Sequence, residues 1–120
     1  MPKKQKTKFK FICPIFRIEV ILILGDKKQL VNIVGNYEPK EHHNAECILK
    51  KDGNLVTGIF VWVEERDDYF SIVHETIHLA RIVFQVMNIP FNSDNEEIIA
   101  YYQNYWVRKF WNKMSKFIKD

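Results

Sequence analysis

Two kinds of hydrophobic periodicity alternate along the chain. Residues 15–24 are apolar and rich in β-branched side chains, which predicts a strand. Residues 45–49 and 55–64 predict two further strands, and the Asp52-Gly53 step between them is a strong hairpin signal. Alternation sorts the side chains of the last strand onto two faces, with Ile59, Val61 and Val63 on one face and Phe60 and Trp62 on the other.

Other stretches have the period of a helix. Asp26 can cap a short helix that Gly35 would close. A longer helix is predicted over residues 69–88, because an aspartate can cap its start and Pro90 cannot continue it. Apolar side chains cover most of the circumference of this second helix, which predicts that it is buried: Ile72, Val73, Ile77, Leu79, Ala80, Ile82, Val83, Phe84, Val86 and Met87.

The polar residues of the helix predicted over 69–88 form one narrow stripe. They fall at positions i, i+4, i+7 and i+11, as His74, His78, Arg81 and Gln85. On a helix that is otherwise apolar, such a stripe faces either a cleft or a thin strip of solvent. In the second case the two histidines would be ordinary surface residues, so the residues near them decide between the two interpretations.

A Ser-x-x-Glu capping box predicts the start of the last helix, which covers roughly residues 94–118. In that box Glu96 reaches back to the amide of Ser93. Glu97 points about 100° away and is left free to face the preceding helix. Tyr101 lies one turn farther on the same side. A broad apolar and aromatic face predicts that this helix packs on the core: Ile98, Ile99, Tyr102, Tyr105, Trp106, Phe110, Met114 and Phe117.

The run His-Glu-Thr-Ile-His at 74–78 carries the candidate chemistry. Residues four apart share one helix face, so His74 and His78 can hold one metal ion. Glu75 lies beside them and can act as a general base on water. With Glu97 as third ligand they suit a tetrahedral Zn²⁺ with one open position, and Glu96 is the first alternative for that ligand. The sequence does not choose the group that stabilises the transition state, and the candidates are Tyr101, Tyr102, Tyr105, Arg81 and Arg108. Tyr101 can also hydrogen-bond a ligand.

Composition indicates one globular domain. The chain has 120 residues, of which 47% are hydrophobic, and a net charge of +3. The charge is uneven, because five lysines fall within residues 1–10 and five cations face one aspartate within 106–120. We expect residues 1–10 to form a flexible basic arm and residues 11–120 to form the domain. Basic ends leave nucleic acid as an alternative partner.

The two cysteines, Cys13 and Cys47, lie in separate apolar runs and are interpreted as reduced core residues. No apolar stretch reaches the roughly 18 residues of a membrane span. No secretory signal is visible, because the first apolar run is broken by a proline and by charged residues. The expected location is the cytoplasm.

The motif at 74–78 with a downstream Glu-x-x-Ala at 97–100 resembles the gluzincin branch of zinc metallopeptidases. The hairpin, the helix and the run Asp-Asn-Glu-Glu-x-x-Ala-Tyr at 94–101 more closely resemble short zincin-like proteins encoded by tailed phages and prophages. The resemblance implies a minimal zincin of α+β class. Its small mixed sheet would pack on the buried motif helix and on a long C-terminal helix, and a phage-encoded chain would act in the host cytoplasm. Glu96 and Tyr101 depart from the Asn and Asp that gluzincins carry at those positions.

The expected function is that of a zinc metallopeptidase that cleaves amide bonds in a specific protein partner, with Glu75 as general base. The strand at 58–63 is expected to line the cleft and to pair with an extended peptide. One alternative is a non-catalytic module in which zinc joins the two helices, and a closing ligand such as His42 or His43 would favour it. The other alternative is a basic nucleic-acid-binding protein with an accidental motif. The sequence leaves the substrate and the oligomeric state open.

Overall fold

A computed structural model of the protein describes residues 7–35 and 37–116. Over these residues the fold is α+β, with a mixed four-stranded sheet and three α-helices, the last of them long. The elements in chain order are β1 (Lys8–Ile12), β2 (Glu19–Leu24), α1 (Lys27–Val34), β3 (Ala45–Asp52), β4 (Leu55–Val63), α2 (Tyr69–Val86), a 3₁₀ turn (Ser93–Asn95) and α3 (Glu96–Ser115). The predicted α+β class is confirmed.

The strands lie in the order β1-β2-β4-β3. β1 and β2 are antiparallel, β2 and β4 are parallel, and β3 and β4 form an antiparallel hairpin. The hairpin closes where Asp52 pairs with Leu55, and Gly53 in the turn has a positive φ of 63°. The predicted hairpin is therefore confirmed. β3 is one edge of the sheet, whereas β4 has a neighbour on each side.

The sheet separates two hydrophobic clusters. Ile59, Val61 and Val63 belong to the larger cluster, which also contains buried residues of α2 and α3. Phe60 and Trp62 belong to the smaller cluster, which contains buried residues of α1. The predicted alternation along residues 55–64 is confirmed, and it explains how one strand serves both clusters.

The N-terminal part of the sheet differs from the prediction. Residues 15–24 do not form one strand, because Pro14 follows β1 and Arg17 turns the chain in a left-handed conformation with φ 59°. The Cys13 amide donates to the Ile18 carbonyl at 2.8 Å and closes this turn. The predicted arm is also wrong from residue 8 onward, since Phe9 of β1 is only 6% exposed and lies in the core. Residues 1–6 lie outside the described residues.

Helix α2 confirms the prediction for residues 69–88. Its N-cap is Asp68, whose side chain accepts a hydrogen bond from the Ser71 amide at 3.0 Å. Eight of its residues are buried: Ile72, Glu75, Thr76, Leu79, Ala80, Ile82, Val83 and Phe84. The predicted polar stripe is exposed except at His78, which is half-buried, and Tyr69 and Phe70 at the start of the helix are exposed as well. None of the described helices is long and apolar enough to cross a membrane.

Helix α3 begins two residues later than predicted. The capping box between Ser93 and Glu96 does not form, because Ser93 begins the 3₁₀ turn and α3 starts at Glu96 itself. Asn92 caps this turn by accepting from the Asp94 amide at 3.1 Å. The core face of α3 is confirmed for Tyr102, Trp106, Phe110 and Met114, whereas Ile98 is 56% exposed and Phe117 lies outside the described residues.

Two contacts show that α3 runs antiparallel to α2. The side-chain amide of Gln103 donates to the Val73 carbonyl at 3.0 Å. Farther along α3, the rings of Tyr69 and Trp111 meet edge to face with centroids 5.1 Å apart. One side of α3 therefore lies against the N-terminal half of α2, which carries the histidine motif.

Candidate functional site

His74 and His78 lie one turn apart on the polar stripe of α2. Their Nε2 atoms are 3.2 Å apart, within hydrogen-bond distance of each other. Two imidazole nitrogens bound to one tetrahedral zinc at about 2.0–2.1 Å would be separated by about 3.3 Å, so the pair has the spacing of two zinc ligands. Burial lowers the pKa of His78, and His74 and Arg81 lower it further. His78 is therefore held in the neutral form that binds metal.

Glu75 is buried beside the histidine pair, with 7% of its surface exposed. Its carboxylate accepts a hydrogen bond from the backbone amide of Cys47, in β3. Burial raises the pKa of Glu75, His74 opposes that rise, and Glu46 adds to it. The acid is therefore held at the boundary between α2 and β3 with a pKa moved toward the neutral range, which suits a general base.

A cleft of about 230 Å³ separates the exposed stripe of α2 from the start of β3. The residues that line it are Lys40, His43, Ala45, Glu46, Cys47, His74, Glu75, His78, Arg81 and Ile82. His74, His78 and Arg81 of the stripe therefore face a cleft, as the functional interpretation of the pattern predicts, whereas Gln85 does not line it. The predicted pairing of a peptide with residues 58–63 beside the cleft is wrong, because residues 60–63 are paired on both sides and no residue of β4 lines the cleft. The strand beside the cleft is the edge strand β3.

Two residues of the cleft were missed as site residues by sequence reasoning. Glu46 is 9% exposed and accepts from the Lys40 amide at 3.0 Å, and its Oε1 lies 3.2 Å from Nδ1 of His43. The sequence offered one signal, a glutamate within a strand next to a histidine pair. Cys47 also lines the cleft, but burial, followed by Glu75, raises the pKa of its thiol to about 12. Cys47 is thus a protonated thiol, and both cysteines are free, as predicted.

The structure does not assemble the predicted ligand set His74, His78 and Glu97. The described residues contain no group of three His, Cys, Asp or Glu side chains that could hold a metal ion. Tyr102 turns into the core, and Glu97, five residues earlier, lies roughly 140° around α3 on an exposed face. Glu96 lies seven residues before Gln103, within about 20° of the face that contacts α2. Neither acid lines the histidine cleft, so Glu97 is corrected as the third ligand, and the alternative, Glu96, does not replace it.

The predicted catalytic role of Tyr101 is not supported by its position. Tyr101 is 71% exposed and lines a different groove, together with Tyr102 and Tyr105. The Tyr102 hydroxyl is already engaged, since it donates to Sγ of Cys13 at 3.3 Å. Arg108 lines another depression beside Tyr69. Of the five candidates for stabilising a transition state, only Arg81 lines the histidine cleft.

Comparison with known proteins yields no relative. No protein-family model, no curated protein and no solved structure matches this chain. The resemblance to zincins therefore stays a prediction, carried by the motif residues. The case for a function rests on the side chains of the cleft.

Proposed function

We propose that the protein is a zinc-dependent hydrolase that cleaves amide bonds in a peptide or protein substrate. One observation carries the proposal, namely the two Nε2 atoms of His74 and His78 at 3.2 Å beside the buried carboxylate of Glu75. A site that only binds metal does not need a buried acid next to its ligands. A general base does need to be held in place, and the Cys47 amide holds Glu75.

The donor set fits zinc in part. His74 and His78 would supply two neutral nitrogen ligands, whereas the α3 acids Glu96 and Glu97 do not line their cleft. Bound zinc would act as a Lewis acid that polarises a carbonyl group and favours the ionisation of water. Glu46 is a further carboxylate in the cleft, but it already accepts from the Lys40 amide and lies beside His43. The part of the chain that the structure describes therefore offers two zinc ligands, His74 and His78, and no third one.

The remaining roles belong to side chains of the cleft. Glu75 takes a proton from the attacking water and delivers it to the leaving amine, and its raised pKa favours both transfers near neutral pH. Arg81 lines the same cleft and carries a cation that would stabilise negative charge on the carbonyl oxygen. An extended peptide would add to the outer edge of β3, where main-chain hydrogen bonds do not depend on the peptide sequence.

The experiment is a hydrolysis assay with a mixture of fluorescence-quenched peptides. We expect zinc-loaded wild type to cleave, protein stripped with EDTA to be inactive, and activity to return with added zinc. The Glu75→Gln variant should keep its zinc and lose cleavage, because the amide cannot accept a proton. Gln85→Ala is the matched control, since Gln85 is exposed on the same helix and does not line the cleft. Cleavage that persists in EDTA would refute the metal requirement.

A second candidate is a zinc-stabilised module that binds a partner without cutting it. His43 favours it, because this histidine lies in the same cleft and could close the coordination sphere after leaving Glu46. In that case the His43→Ala variant should lose zinc affinity. If the protein is a hydrolase, the open position must stay accessible, and His43→Ala should keep its zinc. Zinc titration of the two proteins separates these functions.

A further inference from the structure

Helix α3 carries a regular ridge on a side away from its core face. Glu97, Tyr101, Tyr105 and Lys109 follow one another at intervals of four residues, which places them on one slanted row of the helix surface. Glu97, Tyr101 and Lys109 are exposed, and Tyr105 is half-buried. Nζ of Lys109 lies 5.6 Å from the centroid of the Tyr105 ring, so the two side chains do lie along one line.

An apolar groove runs beside this ridge. Its volume is about 380 Å³, and its walls are the turn at Pro14–Phe16 and the side of α3 that bears Tyr101 and Tyr105. The residues that line it include no charged side chain. Ile15 and Ile98 at the groove are 72% and 56% exposed. Apolar surface gathered in this way is typical of a protein interface.

We propose that a second copy of this chain covers the groove, with the two α3 helices antiparallel about a twofold axis that passes between Tyr101 and Tyr105 of the ridge. In that arrangement Tyr101 of each copy faces Tyr105 of the other, and Glu97 of each copy faces Lys109 of the other. The contact is isologous, so each pairing occurs twice. Aligning two rows with four-residue spacing makes the helices cross at about −50°, a common angle of helix packing.

The order of charges along the ridge favours a second copy over an unrelated partner. From its N-terminal end, the ridge carries an acid, two aromatic residues and a base. When a second ridge runs in the opposite direction, each acid meets a base and each aromatic residue meets an aromatic residue. The aromatic residues would lie at the centre of the contact and the charges at its rim, as in known interfaces. The groove shares no lining residue with the histidine cleft, so the dimer leaves that cleft open.

Sedimentation of the full chain over a range of concentrations tests the proposal. Wild type should be dimeric at about 50 µM. Glu97→Lys and Lys109→Glu should each weaken the dimer about tenfold or more, because each change turns two attractive pairs into two repulsive ones. The double variant E97K/K109E restores both pairs with their signs exchanged and should return to the wild-type dissociation constant.

Matched controls separate this contact from a general effect of charge. Glu65→Lys and Lys28→Glu make the same changes at exposed positions outside α3, and both should dimerise like wild type. The proposal is overturned if wild type is monomeric up to about 1 mM. It is also overturned if either single variant on the ridge dimerises like wild type, or if the double variant does not recover. Monomeric wild type would assign the groove to a different partner.

Discussion

Replacing His78 by alanine should remove the stabilisation that zinc gives to the fold. Zinc at 100 times its dissociation constant stabilises a folded protein by about 2.7 kcal/mol. For 120 residues the entropy of unfolding is about 0.25 kcal/mol/K, so saturating zinc at this level should raise Tm by about 11 °C. Without metal, His78→Ala alters a half-buried side chain on the polar stripe and should lower the free energy of unfolding by about 0.5 kcal/mol. This loss corresponds to a fall in Tm of about 2 °C.

The assay is thermal unfolding followed by circular dichroism, in EDTA and in increasing zinc. The Tm of wild type should rise by the full amount as zinc is added. The Tm of His78→Ala should stay near that of metal-free wild type at every zinc concentration. Gln85→Ala changes the same stripe two turns farther on and should keep the wild-type shift. An equal zinc-induced shift in wild type and His78→Ala would refute the histidine pair as a metal site.

Two further predictions concern the acids near the cleft. Neither Glu96→Gln nor Glu97→Gln should lower the zinc content of the purified protein, because neither side chain lines the histidine cleft, and a loss of zinc in either variant would identify that acid as the third ligand. Burial raises the pKa of Glu75, so the stability contributed by its protonated form is present below about pH 4 and is lost as the pH rises through the raised value. Metal-free Glu75→Gln should therefore be more stable than metal-free wild type at about pH 8 but not at about pH 4. Urea unfolding at the two pH values measures this, and an equal difference in the free energy of unfolding at both would contradict the prediction.

Local signals in the sequence predicted the parts of the fold that local physics determines. The Asp26 cap and Gly35 bound α1, as expected, because capping depends on residues a few positions apart. The alternation along residues 55–64 gave both faces of β4, since a strand between two layers must be apolar on each side. The apolar circumference of α2 likewise identified a helix covered by other elements.

Features that depend on distant pairing were not predictable in the same way. β1 exists because Phe9 and Phe11 pack into the core when the strand pairs with β2, although the lysines around Phe9 suggested a solvated arm. The place of β3 at the edge of the sheet follows from the parallel pairing of β2 with β4, which no local pattern reveals. The peptide-pairing strand was therefore assigned one strand too far inward.

The candidate site was predictable only within one helix. The spacing of His74 and His78 follows from helix geometry, and the structure places Glu75 beside them, as expected. The third ligand depended on the rotation of α3, and that rotation depended on where the helix starts. Because Ser93 begins a 3₁₀ turn instead of capping α3, the reason for choosing Glu97 over Glu96 disappears.

The most direct test of the proposed function compares hydrolysis by wild type and Glu75→Gln at equal bound zinc. General base catalysis contributes about 10²–10⁴-fold, so the rate of peptide cleavage should fall by that factor while zinc stays bound. The Cys47 amide can still donate to the glutamine oxygen, so the cleft should keep its shape. A Glu75→Gln protein that holds zinc and cleaves at the wild-type rate would contradict the assignment of Glu75 as general base.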